Sequence, residues 1–167
     1  LGRWQDVLGD VECDALIVDA PYSAKTHNGH DGACGASDGE TWARANGRVE
    51  KKIRRRDINY SAWGEDEIRE FVMFMGPNTR GWFVSITDDV LAPIWAKCLE
   101  ANGRYVFAPL PVVETGSRVR LTGDGPSSWT CWAVVARPRT PKFVRWGTLP
   151  GAYVDSAERK PVVGGTP

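Results

Sequence analysis

The stretch Asp14-Ala15-Leu16-Ile17-Val18-Asp19-Ala20-Pro21-Tyr22-Ser23 lies near the start of the chain. Its apolar run from Ala15 to Val18 consists of strand formers and is short, which predicts a strand buried on both faces, as parallel strands are. The run stops at Asp19, and Pro21 then turns the chain and favours an extended backbone before it. Ligands of open α/β sheets bind beyond the carboxyl ends of the strands. We therefore expect Asp19 and Tyr22 at the rim of a cleft.

The apolar spacing further along the chain predicts an α/β fold. Helices are predicted from Glu65 to Gly76-Pro77 and from Val90 to Ala101, because apolar residues recur there at helical spacing. Strands are predicted over Gly81–Asp88, Arg104–Leu110 and Trp129–Ala136. This β-α-β-α-β order predicts one domain over residues 1–167, a doubly wound sheet with helices on both faces. The last strand is expected in an antiparallel hairpin at the edge of the sheet.

Composition indicates an ordinary globular domain. Of the 167 residues 42% are hydrophobic, and 21 Lys and Arg balance 21 Asp and Glu, so net charge by itself says nothing about nucleic acid. No apolar run approaches the roughly 20 residues that span a membrane. The chain does not open with a signal-peptide pattern, and its four cysteines are scattered. These features predict a cytoplasmic protein with reduced thiols.

The residues after the first strand fit a flat ring that carries an amino group. The Asp19 carboxylate and the Ala20 carbonyl are two acceptors for two amino hydrogens, and the Tyr22 ring offers a stacking face. Asp19-Ala20-Pro21-Tyr22 resembles the Asp-Pro-Pro-Tyr motif of the amino-methylating DNA methyltransferases, which act on adenine or on the cytosine amino group. This sequence has Ala20 where that family has Pro. An ordinary strand followed by a Pro turn is the other interpretation of these four residues.

The resemblance implies a Rossmann-like methyltransferase sheet and S-adenosylmethionine as the cofactor. It implies that a base flipped out of double-stranded DNA enters the cleft. Asp19 and the Ala20 carbonyl then accept hydrogen bonds from the target amino group, Pro21 holds the turn, and Tyr22 stacks on the base. An acid at the first motif position favours adenine N6.

The segment of about residues 23–57 is predicted to be a basic, DNA-contacting loop, because its first half is rich in Gly, Ser, Asp and Asn. His27 and His30 are candidate contacts to phosphate or base. With Cys34 they have a loose metal-ligand spacing but lack a fourth ligand, so no metal is predicted. Seven cations follow within thirteen residues: Arg44, Arg48, Lys51, Lys52, Arg54, Arg55 and Arg56. Beside the motif they favour DNA contact, and in isolation they fit a solvated surface.

The cofactor-binding residues are implied less directly. Lys160-Pro161 resembles the Lys-Pro element that precedes the cofactor-binding helix in the family, and Gly165-Thr166-Pro167 is the other match. Asp88, at a strand end, is a further cofactor-binding candidate, although Asp also commonly caps a helix. No glycine-rich segment of the type Asp-x-Phe-x-Gly-x-Gly occurs in the sequence.

Three functional interpretations follow. The first is a DNA adenine-N6 methyltransferase or its catalytic half, with a second chain or a second copy completing the sheet. The second is a catalytically silent methyltransferase-like module that binds DNA or takes part in assembly. The third is an unrelated α/β protein in which Asp-Ala-Pro-Tyr arose by chance.

Overall fold

The computed structural model describes residues 3–27, 40–45, 48–54, 60–115, 129–139 and 150–156. The helices are α1 (Trp4–Val7), α2 (Glu65–Asn78) and α3 (Ala92–Ala101), and residues 24–27 are also helical. The strands are β1 (Cys13–Asp19), β2 (Glu40–Ala45), β3 (Arg48–Arg54), β4 (Thr79–Thr87), β5 (Arg104–Val106), β6 (Leu110–Thr115), β7 (Thr130–Pro138) and β8 (Tyr153–Ser156). None of the helices in these ranges has the length and apolar character needed to cross a membrane.

Six of the strands form one mixed sheet in the order β1-β4-β7-β6-β8, and β5 also pairs with β7. β1 is parallel to β4, whereas β7 is antiparallel to β4, β5 and β6. β8 is parallel to β6. The predicted α/β class is therefore confirmed. The predicted strand from Ala15 to Val18 is part of β1, which is an edge strand of this sheet among the described residues.

Both long helices pack on the same face of this sheet. Leu16 of β1 and the fully buried Phe83 of β4 belong to one hydrophobic core with Phe71 of α2 and Trp95 of α3. Side chains alternate along a strand, so Ile17 lies on the opposite face, where it is 76% exposed. The prediction that the Ala15 to Val18 strand is buried on both faces is therefore wrong, because within the described ranges this strand pairs on one side only and the helices cover one of its faces.

This arrangement corrects the prediction of helices on both faces, at least for the described residues. From β1 to β4 and from β4 to β5 the chain moves in the same direction across the sheet. Right-handed crossovers in one direction place both helices on one face, and only a reversal of direction places them on two. The element order in the sequence does not show whether such a reversal occurs.

The last predicted strand is interior and not at the edge. β7 pairs with β4 on one side and with β5 and β6 on the other. Its residues Ala133 to Ala136 are all buried, which agrees with an apolar run covered on both faces. The predicted strand Arg104–Leu110 contains β5 and only the first residue of β6, and these two strands follow each other along β7.

The middle of the predicted basic loop forms a second, two-stranded sheet. β2 and β3 pair antiparallel, with Ala45 opposite Arg48. The sequence places Asn46-Gly47 between these residues, and this dipeptide is the strongest short hairpin signal. The prediction of a loop across 23–57 is therefore wrong for 40–45 and 48–54. The polar residues before Glu40 led to the prediction of a loop, which was extended over the two strands that follow.

Arg104 connects the end of α2 to the start of β4. Its guanidinium is buried, donating to the carbonyls of Gly76 and Gly81 at 2.8 Å each and also to the carbonyl of Thr79. It also lies 5.5 Å from the centre of the Phe83 ring. Hydrogen bonds from a charged donor are stronger than neutral ones, so Arg104 fixes the position from which β4 runs toward the candidate site.

Candidate active site

The Asp19 motif begins where β1 ends. Asp19 is the last residue of β1 and pairs with Ile86 of the parallel strand β4. Its side chain is exposed, whereas Ala20 is only 6% exposed and belongs to the hydrophobic core. The small Ala20 side chain thus anchors the turn in the core, and the carboxylate before it faces solvent at the carboxyl end of the sheet. This is the position predicted for it.

Tyr22 and Asp19 contact each other. The pKa of Tyr22 is raised well above its ordinary value by burial, by the charge of Asp19 and by a hydrogen bond to Asp19. The phenol therefore keeps its proton at neutral pH and is the donor in the hydrogen bond to the carboxylate. The backbone of Tyr22 is held as well, since its carbonyl accepts a hydrogen bond of 3.2 Å from Trp63 N–H. The acceptor and the aromatic ring of the motif are thus held side by side.

Cys131 is a site residue that sequence reasoning missed. Burial raises the pKa of its thiol, and the charges of Asp19 and Glu114 raise it further. The thiol is therefore protonated at neutral pH and places a small uncharged group close to Asp19. The sequence offered no signal for this placement, because it depends on β7 lying two strands away from β1.

Asp88 follows β4 and connects two turns. One oxygen, Oδ2, accepts hydrogen bonds from Ser23 N–H at 2.9 Å, Ser23 Oγ at 2.5 Å and Thr26 Oγ1 at 2.5 Å. The other, Oδ1, accepts from Val90 N–H at 3.2 Å and Leu91 N–H at 2.9 Å. Burial alone would raise the pKa of Asp88, but the hydrogen bonds from Ser23, Thr26 and Leu91 lower it. The ionised carboxylate thus joins the turn after β1 to the start of α3.

The lowered pKa gives a pH-dependent prediction for the variant Asp88→Asn. A depressed carboxyl pKa stabilises the fold above the ordinary value of about 4, and this stabilisation is lost as the pH falls through the folded value. We expect the difference in free energy of unfolding between wild type and Asp88→Asn to be full at neutral pH and to shrink below about pH 4. Urea denaturation across this range measures it, with the exposed Asp89→Asn as control. A difference that does not change with pH would contradict the assignment of a lowered pKa.

His27 is the only predicted DNA-contacting residue whose side chain is described. It ends the helical residues 24–27, and its ring lies 5.4 Å from that of Tyr60, edge to face. Its backbone N–H donates to the Ser23 carbonyl at 3.0 Å. The neighbouring Lys25 pairs with Asp89 at 2.9 Å on the surface. His27 therefore lies next to the motif, in the segment that Asp88 holds.

The remaining predicted site residues are on β3 or fall outside the described residues. Arg48, Lys51, Lys52 and Arg54 are on β3, opposite β2. His30, Arg55, Arg56, Lys160 and Pro161 fall outside the described residues, as does Cys34 of the loose metal spacing. Within the described ranges no cluster of His, Cys, Asp and Glu is suited to a metal ion. The roles predicted for these residues remain predictions.

Comparison with known proteins finds a likeness to solved structures. No protein-family model matches the chain, and no curated protein matches it either. Among solved structures it is similar to the crystal structure of the M1.HpyAVI–SAM complex, with 16% sequence identity and a TM-score of 0.46. The similarity covers 98% of this chain and 64% of that one, so the chain spans less than two thirds of that protein. The fold and site described above rest on the strand order and contacts of the chain itself.

Proposed function

We propose that this chain is the catalytic part of a DNA methyltransferase that transfers a methyl group from S-adenosylmethionine to adenine N6. The observation that carries the proposal is the pairing of the exposed Asp19 carboxylate with the half-buried Tyr22 ring at the carboxyl end of a parallel strand. An acceptor beside an aromatic ring suits a flat base with an amino group. Extruding the base from the duplex costs a few kcal/mol, which the stacking offsets in part.

The residues around Asp19 determine how the amino group would be held. Asp19 and the Ala20 carbonyl accept its two hydrogens, which orients the nitrogen lone pair and increases electron density on it. Tyr22 stacks on the ring, and the amino group of the base replaces the Tyr22 phenol as the hydrogen-bond donor to Asp19. The raised pKa of Cys131 keeps its thiol neutral, so it adds no charge beside the base. Asp19 positions the nitrogen without taking its proton in the transition state.

The acidic character of the site also fits the cofactor. The charges of Asp19 and Asp88 raise the pKa of Tyr22, and those of Asp19 and Glu114 raise the pKa of Cys131. Carboxylates also favour a nearby sulfonium cation. When bound, S-adenosylmethionine supplies the electrophilic methyl group. Asp19 is the described residue best suited to face it, because the two oxygens of Asp88 are already occupied by hydrogen bonds. The proposed contribution of Lys160 and Pro161 rests on the sequence resemblance.

Calorimetric titration with S-adenosylmethionine, with and without duplex DNA, tests this function. Cofactor binding that is strengthened by DNA containing adenine, followed by methylation of that adenine, is the expected result. The alternative is a silent DNA-binding or assembly module. It is favoured by the lack of a glycine-rich cofactor segment in the sequence and by the 76% exposure of Ile17, on the face of β1 turned away from the core. DNA binding without any cofactor binding would favour that alternative.

The cations of β3 and the two residues after it give a prediction for DNA binding. Replacing Arg54, Arg55 and Arg56 with Gln should weaken binding to every duplex sequence, because released counterions drive such contacts. The slope of log affinity against log salt concentration should fall by about 2–3. Fluorescence anisotropy at several salt concentrations measures this slope.

A second triple variant separates local contact from net charge. Arg69, Arg80 and Lys97 all lie in exposed ion pairs, and changing them to Gln removes the same three charges. This control should leave the slope unchanged. An equal loss in both variants would show that only net charge matters and that the Arg54 to Arg56 segment does not contact DNA.

A further inference from the structure

The Asp88 carboxylate has no acceptor capacity left for a ligand. A carboxylate offers about four lone-pair sites, and Asp88 already accepts five hydrogen bonds from Ser23, Thr26, Val90 and Leu91. Its side chain and that of Ser23 are both buried, with 7% and 4% exposure. This side chain therefore acts on the protein itself and not on the cofactor for which the sequence made it a candidate.

The bonds of the two oxygens serve different segments. Oδ1 binds the backbone at the start of α3, whereas all three bonds of Oδ2 come from the segment that directly follows Tyr22. Ser23 N–H is one of these donors, and it belongs to the peptide unit whose carbonyl, that of Tyr22, accepts from Trp63 N–H. The peptide between Tyr22 and Ser23 is thus held at both its oxygen and its nitrogen.

We propose that Asp88 is a positioning residue that fixes the Tyr22 ring beside Asp19 for the incoming base. The inference rests on the proposed function, since it assigns Asp88 a part in the same site. The peptide that follows Tyr22 cannot rotate without breaking a buried, charge-assisted hydrogen bond. A stacking platform held in advance loses less conformational freedom when the base binds. Asp88 therefore increases the fraction of time that the extruded base occupies the cleft, and with it turnover.

The variant Asp88→Asn separates the hydrogen bonds that Asp88 accepts at the start of α3 from those that it accepts from Ser23 and Thr26. Asn keeps one oxygen for Val90 and Leu91, and it is as good as Asp at a helix N-terminus. Its NH₂ group, however, faces Ser23 N–H, where two donors oppose each other. Asp89→Asn is the matched control, because the Asp89 side chain is 62% exposed and pairs with Lys25 at the surface.

Three measurements test the proposal on the whole chain. Amide hydrogen exchange should be at least about tenfold faster at Ser23 and Trp63 in Asp88→Asn. The increase should be smaller at Leu99 in the core of α3, which reports only the change in global stability. A duplex with 2-aminopurine at the target adenine reports base extrusion by its fluorescence, and its signal should need about tenfold more protein in the variant. Anisotropy should show unchanged overall affinity for the duplex. Asp89→Asn should match wild type in all three measurements.

The outcomes separate the inference from the proposed function. Unchanged exchange at Ser23, or faster exchange with an unchanged 2-aminopurine signal, overturns the positioning role. If wild type gives no 2-aminopurine signal, the proposed function fails, and so does the role of Asp88 toward a base, whatever the exchange rates. If Asp88→Asn does not fold, Thr26→Val replaces it, since it removes one donor to Oδ2 and leaves Asp88 and α3 intact. The same changes, smaller in size, are expected there.

Discussion

Replacing Asp19 with Ala is expected to reduce methyl transfer to adenine by about 10²–10³-fold, the usual effect of removing one preorganised polar group from a reacting centre. Affinity for duplex DNA should stay within a few fold of wild type, because Asp19 makes no contact with phosphate in the proposed complex. The variant should also fold like wild type. Asp19 is exposed at the end of β1, so its loss leaves no buried partner charge and little change in folding.

Asp19→Asn sharpens the test. The amide keeps the shape of the side chain and one acceptor oxygen, but it can present NH₂ to the amino group of the base. Turnover should therefore fall nearly as far as in Asp19→Ala, although the side chain has almost the same volume. Transfer of a labelled methyl group from S-adenosylmethionine to adenine-containing duplexes measures the loss, and anisotropy measures DNA affinity.

Asp66→Asn is the matched control for Asp19. Asp66 is on α2, its side chain is 87% exposed, and it pairs with Arg69 at 2.9 Å. The same change of charge there should leave both turnover and DNA affinity as in wild type. Turnover that persists in Asp19→Ala would remove Asp19 from the catalytic assignment and, with it, the main support for the proposed function.

The elements that the sequence predicted well are those with a strong local pattern. The run Ala15 to Val18 is a strand, and the helical spacing after Glu65 and in Val90 to Ala101 corresponds to α2 and α3. Their limits differ by a few residues: α2 continues through Pro77 to Asn78, and α3 begins at Ala92. Pro77 lies in the last turn of α2 and removes one backbone hydrogen bond there. The helix therefore continues for one residue past Gly76-Pro77, where the sequence predicted its end.

The features that were missed depend on neighbours distant in sequence. Cys131 acquires its place near Asp19 only because β7 inserts next to β4. The one-sided helix layer likewise follows from the direction of the crossovers, which no local pattern encodes. Asp88 was assigned two alternatives, a cofactor contact or a helix cap. Its hydrogen bonds to Val90 and Leu91 agree with the cap, but its bonds to Ser23 and Thr26 could not be foreseen, since they join segments about 65 residues apart.

The largest expected effect on stability comes from Gly81. Along the β1–β4 ladder Cys13 pairs with Thr79 and Ala15 with Trp82, so β4 carries one extra residue opposite Asp14. A bulge of this kind brings two backbones close together, and Gly is the residue that permits it. A Cβ atom added at Gly81 would lie 2.3 Å from the Asp14 carbonyl oxygen. No rotamer change relieves this contact, because the opposing atom belongs to the backbone.

Gly81→Ala is therefore expected to lower the free energy of unfolding by about 2–4 kcal/mol, as overpacking against a fixed backbone does. For a chain of this size the melting temperature should fall by about 5–15 °C. Gly9→Ala is the control, because an added Cβ there meets nothing within 4 Å, and its melting temperature should stay within about 2 °C of wild type. Thermal denaturation followed by circular dichroism measures both variants.

The effect of Gly81→Ala should reach the candidate site, because β4 is the only strand paired with β1 among the described residues. Moving the start of β1 away from β4 also strains the bond from Arg104 to the Gly81 carbonyl. Asp19 lies at the other end of the same strand, so we expect the variant, when still folded at low temperature, to bind an extruded base more weakly than wild type. A melting temperature equal to that of Gly9→Ala would mean that the two backbones are not in contact at Asp14. β1 would then have to be held in the sheet by its pairing from Ala15 to Asp19 alone.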